Sequence, residues 1–295
     1  MDYVLPPQPP VAVPVDGSAA LFPVRRVYCV GRNYAEHAKE MGFTGREDPF
    51  FFCKPADAVR PVADGETGKM SYPPKTSNLH YEMELVVVLG KGGRDIPVEQ
   101  ANECVWGYAL GLDMTRRDLQ GEMKKQGRPW EIGKAFDESA PIGPIHPRSV
   151  VGTLDKGAIW LDVNGQRKQS SDISQMLWNI PESISYLSGL FELQPGDIIF
   201  TGTPEGVGAV VQGDVITGGV EGLGELRVQI EKPSPPPPPT HLHRFFCSGV
   251  DSMRGKIVLT AFVVFGFVLA GCNTVAGMGR DMSRAGNAIT HAADK

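Results

Sequence analysis

Residues 79–90 read "LHYEMELVVVLG". Leu85 to Leu89 form an unbroken run of β-branched and aliphatic side chains that stops at Gly90, the pattern of a strand buried on both faces. Glu82 and Glu84 stand at its front. Residues i and i+2 of a strand point to the same side, so the two carboxylates share a face with about 7 Å of backbone between them. Such a pair repels itself and resists desolvation. A hard dication removes both problems, because Mg²⁺ and Mn²⁺ favour carboxylate oxygens. A further ligand is then expected on a neighbouring element. Asp113, which ends the apolar strand "VWGYALGLD" 29 residues after Glu84, is the candidate. Lys134, in "WEIGKAFD", is placed to offset the surplus negative charge. The competing reading is a solvated strand end.

Outward from this stretch, strands are expected at 26–30, 49–53, 82–89, 104–112, 133–135, 158–163, 197–201, 214–216 and 225–230. The Asn164-Gly165 pair in "DVNGQ" is the dipeptide favoured in a two-residue hairpin turn. Helices are expected at 34–41, around 115–125 and across 173–190, the last broken before Pro181. Regular βα alternation is missing, which argues against a doubly wound sheet and for an α+β, mainly β chain with few helices.

The 295 residues carry a net charge of −5, so no basic excess points to nucleic acid. The five cysteines form no CxxC pair and no disulfide-like spacing, and several sit in apolar settings, which suits a reducing cytoplasm. The chain opens with a proline-rich arm over 1–17. A globular body runs over 18–230, and a proline-rich linker over 231–252 contains five consecutive prolines from Pro235. Residues 253–295 read as a separate small precursor: Met253, two cations, an apolar run and "LAGC" at 269–272. This tail resembles an entericidin-type lipoprotein precursor joined by read-through or a gene-model fusion. Membrane association is expected only where the tail is expressed in frame.

Two more clusters bear on chemistry. In "GRNYAEHAKEMG", residues 31–42, Asn33 is placed to cap a helix with Glu36 in the capping-box position and Gly42 as the stop. His37 and Glu40 then share a face, as a water-activating pair or as part of a charged surface helix. In "GDIIFTGTPEGVG", residues 196–208, a strand runs into a glycine-rich turn whose amides and Thr201 and Thr203 hydroxyls suit an anion.

Taken together, "VYCVGRNYAEHAKEMG", "PFFFCKPADAV", "HYEMELVVVLG", "GYALGLDMTRRDLQ", "GKAFDESAPIGP" and "LQPGDIIFTGTPEGVG" resemble the fumarylacetoacetate hydrolase family over about residues 18–230. The resemblance implies a mixed β-roll, a Mg²⁺ or Mn²⁺ site and a homodimer. It implies Glu82, Glu84 and Asp113 as metal ligands, and His37 and Glu40 as a water-activating dyad on a lid helix. Gln120 and Lys134 would polarise substrate oxygens, and Arg117 and Thr203 would hold the substrate. Within the family, "GRPWEIGKAFD" and "VITGGVEGLGEL" are most similar to the branch that cleaves fumarylpyruvate in gentisate breakdown. The implied substrate is an acylpyruvate, whose far carboxylate needs a cation such as Arg117 or Arg128. Oxaloacetate decarboxylation, hydroxymuconate-type isomerisation and a membrane-tethered lipoprotein fusion are the alternatives.

Overall fold

The computed structural model describes residues 3–40, 42 and 46–232, so the expected lipoprotein-like tail and most of the proline-rich linker lie outside the described residues. The frame is a mixed β-roll with few, short helices. Its largest sheet has strands in the order Phe50–Lys54, Val27–Gly31, Ile198–Phe200, Met83–Leu89, Val105–Leu112, Ala140–Ile142 and Val59–Pro61, with His146–Pro147 added beside Val105–Leu112. A second sheet runs Gln166–Asp172, Ala158–Val163, Val215–Val220, Glu225–Glu231 and Thr67–Ser71. Parallel pairs (Ile198–Phe200 with Val27–Gly31, Ala140–Ile142 with Val59–Pro61, and Glu225–Glu231 with Thr67–Ser71) sit among antiparallel ones.

The Met83–Leu89 strand lies inside the large sheet and is buried throughout. Leu85, Val87 and Leu89 enter one core cluster, whereas Val86 and Val88 enter another with Cys29, Ala109 and Phe200. Burial on both faces explains the run of consecutive apolar residues: neither side of the pleat meets water. The strand pairs antiparallel with Val105–Leu112, Glu84 opposite Gly111. Gly111 has to be glycine, because a Cβ there would lie 2.5 Å from the Phe200 ring.

The Asn164-Gly165 turn joins Ala158–Val163 to Gln166–Asp172 with both residues at positive φ, 52° and 77°, as a two-residue hairpin requires. Other expectations need correction. Residues 133–135 are not a strand: Glu131–Lys134 is one helical turn, with Gly133 and Lys134 N–H both donating to Trp130 O. The apolar run is too short for its period to discriminate, and Gly133 packs where a Cβ would be 2.8 Å from the Gln120 backbone. Thr115–Arg116 is a short strand beside Leu79–Tyr81, and the helix begins at Arg117. Residues 173–190 divide into a 3₁₀ turn, Ile173–Gln175, and a helix, Ile180–Leu190. Asn179 and Glu182 form a capping box there, and Pro181 lies in the first turn, where its missing N–H costs nothing. The proline-rich start supplies a strand, Ala12–Pro14, that pairs with Leu21–Pro23 and buries Val13.

Candidate active site

The register of the central pair builds the site. Asp113 follows the Val105–Leu112 strand, and its N–H donates to Glu82 O at 2.9 Å. Glu82, Glu84 and Asp113 are therefore brought together at the same end of adjacent strands. All are buried, and each offers a carboxylate oxygen within 4.8 Å of the others. The surroundings are cationic. Lys134 Nζ donates to Glu82 Oε2 at 2.8 Å and to Asp113 Oδ2 at 2.7 Å. Arg117 pairs with Glu82 Oε1. Lys54 Nζ, fully buried, lies 2.8 Å from Asp113 Oδ1 but off the line of a hydrogen bond, which leaves that oxygen without a hydrogen-bond donor. Lys54 spends its protons on the main-chain oxygens of Met114, at 3.2 Å, and Lys134.

This environment separates the carboxylates. Burial, with Asp113 and Glu82 alongside, pushes the Glu84 carboxyl well above the usual range. For Glu82 burial also opposes ionisation, but Lys134 and Arg117 outweigh it and hold the group well below its ordinary value. Burial disfavours the Lys134 ammonium as well; Asp113 and Glu82 more than restore it, so Lys134 stays protonated. Convergent carboxylate oxygens, an undonated Asp113 Oδ1 and a Glu84 that resists ionising alone fit a hard dication.

His37 is buried on the short helix Ala35–Glu40 and lines one cleft with the three carboxylates, Arg117, Gln120, Lys134 and Thr203. Glu40 closes the same helix; its side chain lies outside the described residues. Arg117 Nη1 donates to Gln120 Oε1 at 2.7 Å, which fixes the amide and leaves its NH₂ to donate elsewhere.

Several sequence expectations change here. Asn33 caps no helix. Its amide donates to Trp178 O and Thr201 O and accepts from Trp178 N–H, each at 2.8 Å, so it staples the start of the His37 helix to two other segments. The hydroxyls of Thr201 and Thr203 face the Met83–Leu89 strand, donating to Leu85 O and Met83 O, both at 2.8 Å. The anion that the glycine-rich turn holds is Glu84, whose Oε2 accepts from Gly202 N–H at 2.8 Å. Arg128 is exposed in the loop after Arg117–Lys125 and is not among the residues that line the cleft. Two supporting residues escaped the sequence reading. Lys54 ends the "FFFCK" strand, where a lysine after an aromatic run was the available signal. Gln169 lies in a polar, solvent-like segment that gave none, yet it is buried; it accepts from Met83 N–H at 3.0 Å and donates to Thr203 Oγ1 at 2.9 Å.

The pattern "Fumarylacetoacetate (FAA) hydrolase C-terminal" matches residues 26–231. The chain belongs to the fumarylacetoacetate hydrolase family and is an enzyme of the class that hydrolyses carbon–carbon bonds. It is similar to a Ralstonia sp. fumarylpyruvate hydrolase, 50% identical over 184 residues, covering 62% of this chain and 93% of the relative. The solved structure of fumarylpyruvate hydrolase from Pseudomonas aeruginosa in complex with Mn²⁺ and pyruvate superposes with a TM-score of 0.77 at 61% identity, covering 78% of this chain and 100% of that one. Oxaloacetate tautomerase FAHD1, mitochondrial, from Homo sapiens is 44% identical over 209 residues, covering 71% of this chain and 93% of the relative. The Entericidin EcnA/B family pattern matches residues 274–293, beyond the described residues. Among the described residues no helix is long and apolar enough to cross a membrane.

Proposed function

We propose that the protein hydrolyses the carbon–carbon bond of an acylpyruvate, converting fumarylpyruvate and water to fumarate and pyruvate in gentisate-type catabolism. The supporting observation is the buried Glu82–Glu84–Asp113 cluster sharing one cleft with His37, Gln120 and Lys134. Glu82, Glu84 and Asp113 would hold Mg²⁺ or Mn²⁺, which supplies Lewis-acid charge to the carboxylate and 2-oxo oxygens of the pyruvyl arm. Formally these three carboxylates are balanced by Lys54, Lys134 and Arg117, so a bound dication leaves two positive charges. A substrate with two carboxylates neutralises them.

The chain's own residues then act on water and on the C4 carbonyl. His37, with Glu40 one turn further along its helix, takes a proton from water as the oxygen attacks C4. Gln120 NH₂ and the third Lys134 proton, the one not given to Glu82 or Asp113, donate to the oxyanion. The C3–C4 bond breaks, its electron pair stays on C3, and C3 takes the proton that His37 removed from water, so pyruvate forms and His37 is regenerated. Arg117 acts by fixing Glu82 and Gln120.

Fumarylpyruvate loss should be metal-dependent and yield fumarate and pyruvate one to one after chelation and resupply of Mg²⁺ or Mn²⁺. A second reading, oxaloacetate tautomerisation or decarboxylation, is supported by the similarity to the human tautomerase. It uses the same charge cluster and needs no water activation. His37→Ala should abolish hydrolysis; a variant that keeps full activity on oxaloacetate favours the second reading. We further propose a cytoplasmic homodimer, with membrane association confined to chains translated through the 253–295 tail. Light scattering tests the first, and blotting against both ends tests the second.

A further inference from the structure

We propose that Arg32 determines substrate choice by gripping the far carboxylate of a diacid against an aromatic wall formed by Phe50 and Trp130, an inference that rests on the acylpyruvate reading above. Arg32, Phe50, Phe52 and Trp130 line the same cleft as the three carboxylates. Lys134 and Arg117 also line it, but both are tied into the cleft floor through Glu82. The Arg32 guanidinium lies 4.7 Å above the Phe50 ring centroid and 4.0 Å from Glu47 Oε2. Phe50 in turn meets Trp130 edge-on, with centroids 5.3 Å apart.

This rim is built to hold its shape. Gly31 lies opposite Phe50 in register, and a Cβ there would come within 2.0 Å of the Phe50 ring, so glycine is what lets the ring lie across the strand. Arg32 has φ of +53°, a left-handed conformation that a non-glycine residue keeps only where its surroundings impose it. Its neighbour Asn33 supplies that constraint through the hydrogen bonds to Trp178 and Thr201. Burial pulls the Arg32 guanidinium below its ordinary pKa, and an arriving carboxylate would restore lost solvation. An aromatic rim capped by a planar guanidinium suits a longer, carboxylate-ended chain better than a short methyl ketone. Lys124, near the exposed end of the Arg117–Lys125 helix, is the competing cation in the cleft lining.

The test compares fumarylpyruvate with acetylpyruvate, which has the same reacting core and no far carboxylate. The full-length proteins are wild type, Arg32→Met, Arg32→Lys and Lys124→Met, each loaded with Mn²⁺. Arg32→Met should lose about 10- to 100-fold more kcat/KM on fumarylpyruvate than on acetylpyruvate, mainly through KM, with partial recovery in Arg32→Lys. Lys124→Met should show no such selectivity. Equal losses on both substrates, or selectivity in Lys124→Met, overturn the proposal. Calorimetric binding of fumarate gives a readout without turnover. Arg32→Met should weaken it by a similar factor; unchanged affinity, or a wild type that binds no fumarate, overturns the proposal. Wild-type inactivity on both acylpyruvates instead condemns the acylpyruvate reading, and the fumarate measurement still decides Arg32.

Discussion

Lys54 Nζ lies 2.8 Å from Asp113 Oδ1 with both side chains shut away from solvent. A buried charge opposite another is costly to remove singly, because the survivor keeps its desolvation penalty. Lys54→Met should therefore destabilise the metal-free protein by about 3–5 kcal/mol. Added Mn²⁺ should recover much of that loss, since a dication can replace the missing cation. Thermal melts with chelator and with Mn²⁺ measure both. An equal drop under the two conditions would show that Lys54 acts by packing alone.

Glu84→Gln keeps the shape of the side chain and can still meet Gly202 N–H through its amide oxygen. It should fold like the parent by circular dichroism and lose metal-dependent turnover. An active variant indifferent to added metal would remove Glu84 from the site.

Gly202 has φ of +96°, and a Cβ there would lie 2.7 Å from Asn33 Cβ. Gly202→Ala should cost about 1–3 kcal/mol in stability. It should also weaken Mn²⁺ binding, because the displaced amide is the one that donates to Glu84. Denaturant melts and metal titration read the two effects. Unchanged metal affinity would separate the turn from the site.

Asp118 accepts from Thr76 Oγ1 at 2.6 Å, Ser77 N–H at 3.0 Å and Leu119 N–H at 2.9 Å, at the start of the helix that carries Arg117 and Gln120. Its slight burial opposes ionisation, but these donors outweigh that and lower its pKa below 3.8. The folded state therefore binds this proton less readily than the unfolded chain. The stabilisation is present above pH 3.8 and fades as pH falls through the depressed value. Asp118→Asn should cost about 1 kcal/mol at neutral pH and progressively less towards pH 3. A difference that stays constant down to pH 3 would assign the effect to something other than the charge.

The central strand, its carboxylates and Asp113 were legible because period-two alternation and continuous apolarity are local properties of the chain. The Asn164-Gly165 hairpin was legible for the same reason. The single turn at Glu131–Lys134 was not: four residues hold no period, and its conformation is set by contact with Gln120, thirteen positions away in sequence. Asn33, Thr203 and Gln169 show the same limit. The partners that fix their side chains lie between 34 and 168 positions away, beyond the reach of a local pattern. Lys54 was visible as a residue but not as a member of the site, since only strand pairing carries it to Asp113.

The doubly covered Met83–Leu89 strand has a consequence for how this enzyme can change. Its amide protons should be among the slowest in the molecule to exchange with deuterated water, because releasing them means opening both core clusters at once. Glu84 and, one residue outside the strand, Glu82 ride on that slow unit, whereas Arg32 and Phe50 belong to the rim. New specificities can then arise by exchanging rim side chains over a floor that hardly breathes, so an altered diet need not disturb the reacting centre.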